Sequence, residues 1–171
     1  MKHLNNFKTL IDLVYYFLLP VVIFYPAVLI YLVVFPNQEI FTIQLPDGEV
    51  INSFKTIIFL VIFYLEFMLF FFGFHELRKL ASILLSKRFF TNIITIKLKK
   101  IGKLFSICGV TSIVFLFIYK LSLSSFGAKI MFGFNDYVLL LFLIIIGVFF
   151  LILSDAFKKA VQFKEENELT V

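Results

Sequence analysis

Four long apolar segments alternate with three more polar connections along the chain, and each segment predicts a membrane-spanning helix. The first segment carries no charged residue from Leu13 to Gln38. That is more than the roughly 20 apolar residues that cross about 30 Å of hydrocarbon. Pro20 and Pro26 lie inside it, where proline removes a backbone donor and bends a helix without excluding it from a membrane. We predict one kinked helix from about Leu10 to Phe35.

The connection after this helix, residues 36–53, has the pattern of a small hairpin. Phe41, Ile43 and Leu45 alternate with polar residues, which is the period of a strand. Pro46 and Gly48 then favour a tight turn, because proline fixes the first corner and glycine accepts a positive φ. We predict a short β-hairpin-like loop on the outer face of the membrane.

The second apolar segment, Thr56 to Phe74, is interrupted only by Glu66. The helical pattern continues beyond it without a breaker. The sequence Phe89 to Asn92 then ends the pattern, and Thr91 or Asn92 can cap a following helix.

The next stretch fits either a helix or a strand. Ile94, Leu98, Ile101 and Phe105 share one helical face, whereas Ile94, Ile96 and Leu98 also alternate as a strand would. We favour the helix, because the stretch runs into the third apolar segment with no turn residue except Gly102.

The third segment is Leu104 to Tyr119, and the fourth is Tyr137 to Ser154. Lys120, just after the third, can extend its amine to the outer interface. The expected fold class is an all-α membrane protein of four transmembrane helices with cytoplasmic helical extensions, in one domain over residues 1–171. Its predicted spans are about 11–35, 56–76, 103–120 and 136–154, with a basic waist at 75–105 and a tail at 155–171.

Composition excludes a water-soluble domain. The chain is 61% hydrophobic, contains 26 Phe and has only 16% charged residues, and a soluble domain of this size cannot hide so much apolar side chain. The first apolar segment is too long for a signal peptide and lacks a cleavage site after a short apolar core. We expect it to stay in the mature protein.

The basic residues are placed unevenly. Two lie before the first span, eight in the waist and three in the tail, whereas Lys55, Lys120 and Lys129 are the remaining ones. Short basic loops are retained in the cytoplasm. We therefore predict that both termini and the waist are cytoplasmic.

No catalytic or metal-binding pattern is present in the sequence. His3 and His75 are the two histidines, and neither has a second ligand at the spacing of a metal site. Phosphate loops, hydrolase triads and zinc-protease motifs are absent. Cys108 is the single cysteine, so an intrachain disulfide is impossible, and we expect it to pack as a small apolar residue. We expect no enzyme activity and no cofactor.

Glu66 is the candidate intramembrane polar site, since a carboxylate near the centre of a span is costly. One hypothesis gives it a proton- or cation-linked step, or makes it the polar anchor of a ligand that enters between helices. The other makes it a protonated carboxyl that bonds to a neighbouring helix, for instance to a tyrosine hydroxyl.

The basic waist has three explanations. Topology alone accounts for it, attraction to anionic lipid headgroups accompanies it, and docking of a cytoplasmic protein is the third. Direct binding of nucleic acid is not expected, because Phe89 and Phe90 beside the charges fit a membrane interface better than base stacking.

Two segments resemble a known family. KRFFTNIITIKLKKIG is similar to a Phe-Thr step followed by a helix that ends in Leu/Ile-x-x-Ile-Gly, here Phe90-Thr91, Leu98 and Ile101-Gly102. FKKAVQFKEENELTV resembles a closing motif of Phe-x-x-Gly/Ala followed by a Glu-Glu-x-Glu-Leu-Thr-Val ending, with Ala160 where glycine is commoner. The matching residues are Phe157, Ala160, Glu165, Glu166, Glu168, Leu169, Thr170 and Val171. Together with four spans, these resemble bacterial membrane proteins of the domain-of-unknown-function family 2975.

The resemblance implies a bacterial cytoplasmic membrane location and a link to a small helix-turn-helix transcription regulator. Both motifs fall on the predicted cytoplasmic side. We therefore expect a non-enzymatic protein that senses or sequesters through a docked partner, in addition to its contact with the lipid bilayer.

The alternative is a small transport or immunity protein that works around Glu66. The candidate docking residues are Phe90, Thr91, Asn92, Lys97, Lys100, Gly102, Phe157, Glu165, Glu166 and Glu168. The glycine spacings do not show an oligomeric state.

Overall fold

In the computed structural model, residues 2–35, 53–86, 91–124 and 134–169 are described. They form four α-helices in chain order: α1 (Lys2–Val34), α2 (Ser53–Leu85), α3 (Asn92–Ser124) and α4 (Phe134–Leu169). Within these ranges there is no β-strand. The hairpin predicted around Pro46 lies outside the described residues.

Each helix is long enough to cross a membrane and to continue beyond it. The first three have 33 residues and α4 has 36, which corresponds to about 50 Å at 1.5 Å per residue. All four are also apolar enough to span a bilayer. The prediction of an all-helical, multi-pass membrane protein is confirmed.

The helix boundaries differ from the predicted ones mainly at the N-terminus. α1 begins at Lys2 rather than near Leu10 and continues through Pro20 and Pro26. The helix alternative for residues 94–98 is confirmed, because α3 runs unbroken from Asn92. Thr91 precedes it, and its backbone carbonyl accepts the Ile94 N–H at 3.0 Å.

The backbones pack in chain order. α1 lies against α2, α2 against α3, and α3 against α4; within the described ranges no other pair of helices comes into backbone contact. The helices therefore form an open row rather than a closed bundle, with α1 and α4 at its two edges.

Glycine sets the close packing of α3 against α4. A Cβ added at Gly102 would lie 2.8 Å from the Gly147 carbonyl oxygen and equally close to the Leu151 nitrogen. A Cβ at Gly147 would clash with the backbone nitrogen of Ser106, and one at Gly109 would lie 3.1 Å from the Leu140 carbonyl oxygen. Small residues on both helices thus let the two backbones approach, as in other membrane helix pairs.

The buried core lies at one end of the row rather than at the middle of the spans. We call this the charged end; it is the end that contains Asp12, Glu76, Arg78, Lys97 and Lys100. The members of the core are Ile11, Leu77, Leu80, Ala81, Ile94, Leu98, Ile101 and Phe105.

Apolar side chains away from the core remain exposed. On α3, Ile107, Val110 and Val114 are each about half exposed, and they lie on one helical face. On α4, Leu139 is 73% exposed. Such surfaces are expected where lipid takes the place of water.

Candidate functional site

Glu66 of α2 meets two hydroxyl groups of α3. Its Oε2 lies 2.9 Å from Thr111 Oγ1 and 3.0 Å from Ser112 Oγ, and both hydroxyls are placed to donate. Thr111 Oγ1 also lies 2.8 Å from the Ile107 carbonyl oxygen and 3.1 Å from the Cys108 carbonyl oxygen, so three acceptors compete for its single proton. Within the described part of the chain, Oε1 of Glu66 accepts no hydrogen bond.

The partners of Glu66 are hydroxyls of threonine and serine rather than the tyrosine suggested from the sequence. The nearby tyrosines join α1 to α2 instead. Tyr25 donates to the Leu60 carbonyl at 3.2 Å, and Tyr64 donates to the Val22 carbonyl at 3.3 Å. Their two rings stack with centroids 5.1 Å apart. Tyrosine therefore fixes the first pair of helices, and Glu66 contributes to the second pair.

Cys108 lies one turn before Ser112 on α3. It is buried, and its Sγ lies 3.7 Å from the backbone carbonyl oxygen of Glu66. This contact fits the expected role of a small packing residue.

A groove opens beside Glu66 between α2 and α4, with α3 as its floor. Its volume is about 410 Å³, within the range of ligand pockets. A second groove of about 400 Å³ continues from it and also contains Glu66 and Ser112. The side chains that line the first groove include Phe63, Phe67, Phe70, Cys108, Phe142 and Leu143.

Lys120 lies at the far end of the second groove. It is only 8% exposed, and its Nζ lies 5.4 Å from the centre of the Tyr137 ring. The side chain therefore turns towards α4, instead of extending freely to the interface as its position in the sequence suggested. A cation over an aromatic ring is stabilised by the electron-rich ring face.

Glu76 is the centre of a charge cluster at the charged end. It is 7% exposed, and its two oxygens bind Lys97 Nζ at 2.6 Å and Lys100 Nζ at 2.7 Å. The two lysines are three residues apart and therefore lie on the same side of α3, so a single carboxylate of α2 reaches both. A buried carboxylate needs such partners to offset the cost of leaving water.

Arg78 joins α2 to α1. Its Nε donates to Asp12 Oδ1 at 2.6 Å, and its Nη2 donates to the Tyr16 hydroxyl at 3.0 Å. The guanidinium also lies over the Tyr15 ring, 4.4 Å from its centre. Its planar shape suits this combination of ion pairing and stacking.

Two further polar groups lie near these ion pairs. His75 stacks obliquely on Tyr15 with centroids 5.6 Å apart, and its buried Nδ1 has no hydrogen-bond partner in the part of the chain that the structure describes. Ser154 of α4 donates to the Thr95 carbonyl of α3 at 2.9 Å. The charged end thus has polar links between every pair of neighbouring helices.

Several candidate docking residues serve internal contacts. Lys97 and Lys100 hold Glu76, and Gly102 is buried against α4. Phe157 packs on the core, and Thr91 is half-buried.

Other candidate docking residues are exposed. Asn92, Glu165 and Glu166 face outwards. Phe90 and the side chain of Glu168 lie outside the described residues. The structure therefore divides the predicted set between packing positions and surface positions.

The sequence alone did not indicate which residues bind the candidate site residues. Asp12, Glu76 and Arg78 were not singled out, although each is a charged residue beside an apolar run. Thr111 and Ser112 were also missed, and adjacent hydroxyls in the middle of a span were the available signal. Among the described residues, no group of three or more His, Cys, Asp or Glu side chains could hold a metal ion.

The multi-pass architecture and the two motifs define a class of small helical membrane proteins. Residues 13–171 match the family described as "Protein of unknown function (DUF2975)", and the chain belongs to this family. Searches of curated proteins and of solved structures gave no match.

Proposed function

We propose that this chain is a non-enzymatic protein of the bacterial cytoplasmic membrane that docks a cytoplasmic protein at its charged end. The observation that carries the proposal is the position of the core. Side chains such as Leu80, Ile94 and Leu98 are at most 3% exposed, although they lie beside the charged residues and outside the middle of the spans. A packed core at this end makes the surface above it rigid. Crossing a bilayer does not require such a surface, whereas binding another protein does.

The charge distribution supports a cytoplasmic position for this end. The waist carries eight of the sixteen basic residues, and the N-terminal segment and the tail add five more. Retention of basic loops in the cytoplasm then favours an orientation with both termini inside.

The docking surface that we propose combines the start of α3 with the end of α4. It excludes Lys97 and Lys100, because Glu76 already binds them. Phe163 is 64% exposed in the charged part of α4 and adds an apolar contact. The exposed polar members are Asn92, Lys99, Lys103, Lys158, Lys159, Glu165 and Glu166.

The acidic tail suits a basic partner. Glu165, Glu166 and Glu168 follow one another near the end of α4. A DNA-binding protein presents a basic surface to phosphates, and a cluster of carboxylates competes for the same surface. The resemblance in the sequence suggests a small helix-turn-helix regulator. Docking at the tail would hold such a regulator at the membrane and away from DNA.

Reversing the tail charge tests this role. Glu165→Lys with Glu166→Lys should abolish co-purification of a DNA-binding protein from native membranes, because two attractive carboxylates become repulsive ammonium groups. Duplex DNA added to the wild-type complex should release the same protein. The measurement is the amount of partner retained, by quantitative mass spectrometry.

Asp155→Lys is the matched control. Asp155 is also an exposed carboxylate of α4, but it lies about 15 Å further back along the helix. The proposal fails if the double variant retains the partner at the wild-type level, or if Asp155→Lys removes it equally.

The alternative, a transport or immunity protein that works around Glu66, has one observation in its favour. The groove beside Glu66 is large enough for a small ligand. This groove lies at a different level of the molecule from the docking surface.

A further inference from the structure

We propose that the groove beside Glu66 binds a lipophilic cation that enters from the membrane. The inference concerns binding alone and is independent of the docking role. It depends on three observations: the open oxygen of Glu66, the aromatic lining and the opening between α2 and α4.

The carboxyl group supplies the charge complementarity. The hydroxyls of Thr111 and Ser112 both donate to Oε2 of Glu66. Its other oxygen, Oε1, therefore has no donor among the described residues. Glu66 is itself a lining residue of both grooves. An anionic oxygen without a partner in an apolar site attracts a positive charge much more strongly than it would in water.

The lining favours a bulky, weakly hydrated cation over a small metal ion. Phe63, Phe67, Phe70 and Phe142 line the same groove as Glu66, and aromatic rings stabilise organic cations. A metal ion would need several strong ligands, and the described residues contain no group of three or more His, Cys, Asp or Glu side chains that could hold one. An organic cation can instead bury apolar groups against the rings.

The opening determines the route of entry. α2 and α4 make no backbone contact along the described ranges, so α3 alone closes the groove from behind. Leu139 and Phe142 at the mouth are 73% and 61% exposed. These side chains face lipid in a membrane, and a ligand dissolved in the bilayer reaches the groove without crossing water.

A phospholipid is the weaker candidate for the occupant. An acyl chain would fill the apolar part and leave Oε1 of Glu66 unpaired, and an anionic headgroup would be repelled by Glu66. Lys120 could attract a phosphate, but it is buried over the Tyr137 ring.

Tetraphenylphosphonium is a suitable probe, because it is permanently charged, aromatic and soluble in membranes. The full chain in lipid nanodiscs should bind the labelled cation saturably in equilibrium dialysis, at one site per chain. Glu66→Gln should weaken binding about tenfold or more, as expected for loss of one buried charge partner. Glutamine keeps an oxygen for Thr111 and Ser112, so the helix contact remains.

Three controls make the result specific. Asp155→Asn makes the equivalent change from carboxylate to amide at an exposed position of α4 and should leave affinity unchanged. Leu139→Trp narrows the mouth of the groove from an exposed position and leaves Glu66 in place, so it should weaken binding. This variant keeps the proposal testable if Glu66→Gln does not fold. Tetraphenylborate has the same shape and the opposite charge, and it should not bind at this site.

Two outcomes overturn the proposal. One is equal binding of tetraphenylphosphonium by wild type and by a folded Glu66→Gln variant. The other is wild-type affinity in Leu139→Trp, which would place the cation elsewhere on the protein or in the lipid. Neither outcome bears on the docking of a protein at the charged end.

Discussion

At the scale of single residues, the acidic side chains hold the structure together. The chain has eleven acidic residues against sixteen basic ones, and three acids, Asp12, Glu66 and Glu76, each join two helices. Asp12 pairs with Arg78, and Glu76 pairs with two lysines. Glu66 instead accepts two neutral hydroxyls. The ion pairs lie at the charged end, whereas the contact of Glu66 with two hydroxyl groups lies within the span.

Replacing Glu76 should destabilise the protein. In Glu76→Gln, Lys97 and Lys100 keep their positive charges but lose the carboxylate between them. We expect the free energy of unfolding to fall by about 2 kcal/mol, the size of a hydrogen bond to a charged group. Thermal unfolding of the purified protein in detergent measures the effect.

Glu165→Gln is the control for this change, since its carboxylate is exposed and its removal should alter stability little. Equal melting temperatures for wild type and Glu76→Gln would show that the ion pairs of Glu76 with the two lysines do not stabilise the protein.

At the scale of elements, α3 joins α2 to α4. It contacts both α2 and α4, and its two contact faces have different chemistry. Towards α2 it presents Lys97, Lys100, Thr111 and Ser112. Towards α4 it presents Gly102, Ser106 and Gly109. The polar face gives specific pairing, and the small-residue face gives close van der Waals contact.

Adding one methyl group between α3 and α4 tests this packing. Alanine in place of glycine ordinarily stabilises a helix by up to about 1 kcal/mol. Gly147→Ala should nevertheless destabilise the protein by about 2 kcal/mol, because the new Cβ meets the backbone of Ser106 and Gly102. Thermal unfolding in detergent again provides the measurement.

Val148→Leu adds one carbon at the neighbouring position, where the side chain is exposed, and should have little effect. If Gly147→Ala instead melts at or above the wild-type temperature, α3 and α4 are not as close as the structure shows.

At the scale of the whole molecule, the four helices form a row that is packed tightly at one end. The core and both ion-pair clusters lie at the charged end, whereas the groove of about 410 Å³ lies beside the middle of the spans. This division separates the proposed protein-docking surface from the proposed ligand site. The orientation of the charged end decides which compartment a docked protein must occupy.

Cysteine labelling tests that orientation. In a Cys108→Ala background, Lys99→Cys and Gln162→Cys should react with a membrane-impermeant maleimide only after the cells are permeabilised. Lys129→Cys should react in intact cells, because the proposed topology, which follows the positive-inside rule, puts residue 129 outside. Labelling of Gln162→Cys in intact cells would reverse the proposed topology and remove the cytoplasmic docking role.

The membrane class, the four helices and the need of Glu66 for a polar contact could be predicted because they are local properties. An apolar run of sufficient length forms a spanning helix whatever its neighbours are, since the backbone must satisfy its own hydrogen bonds in lipid. A lone carboxylate within such a run must find a polar contact for the same reason. The choice of a helix at residues 94–98 also followed from the local pattern and the missing turn.

The partners of those residues could not be predicted, because they depend on which helices are neighbours and how each is rotated. The spacing of Gly102 and Gly109 gave no clear association motif, and only their approach to α4 gives them a role. Lys97 and Lys100 lie off the apolar face of α3 in the sequence pattern, and only the fold brings the Glu76 carboxylate to both of them. The sequence by itself thus determined which segments lie in lipid and which lie in water, because the polarity of the side chains sets that preference. The tertiary structure alone decided the pairings and the groove, because contacts between residues far apart in the chain leave no periodic pattern in the sequence.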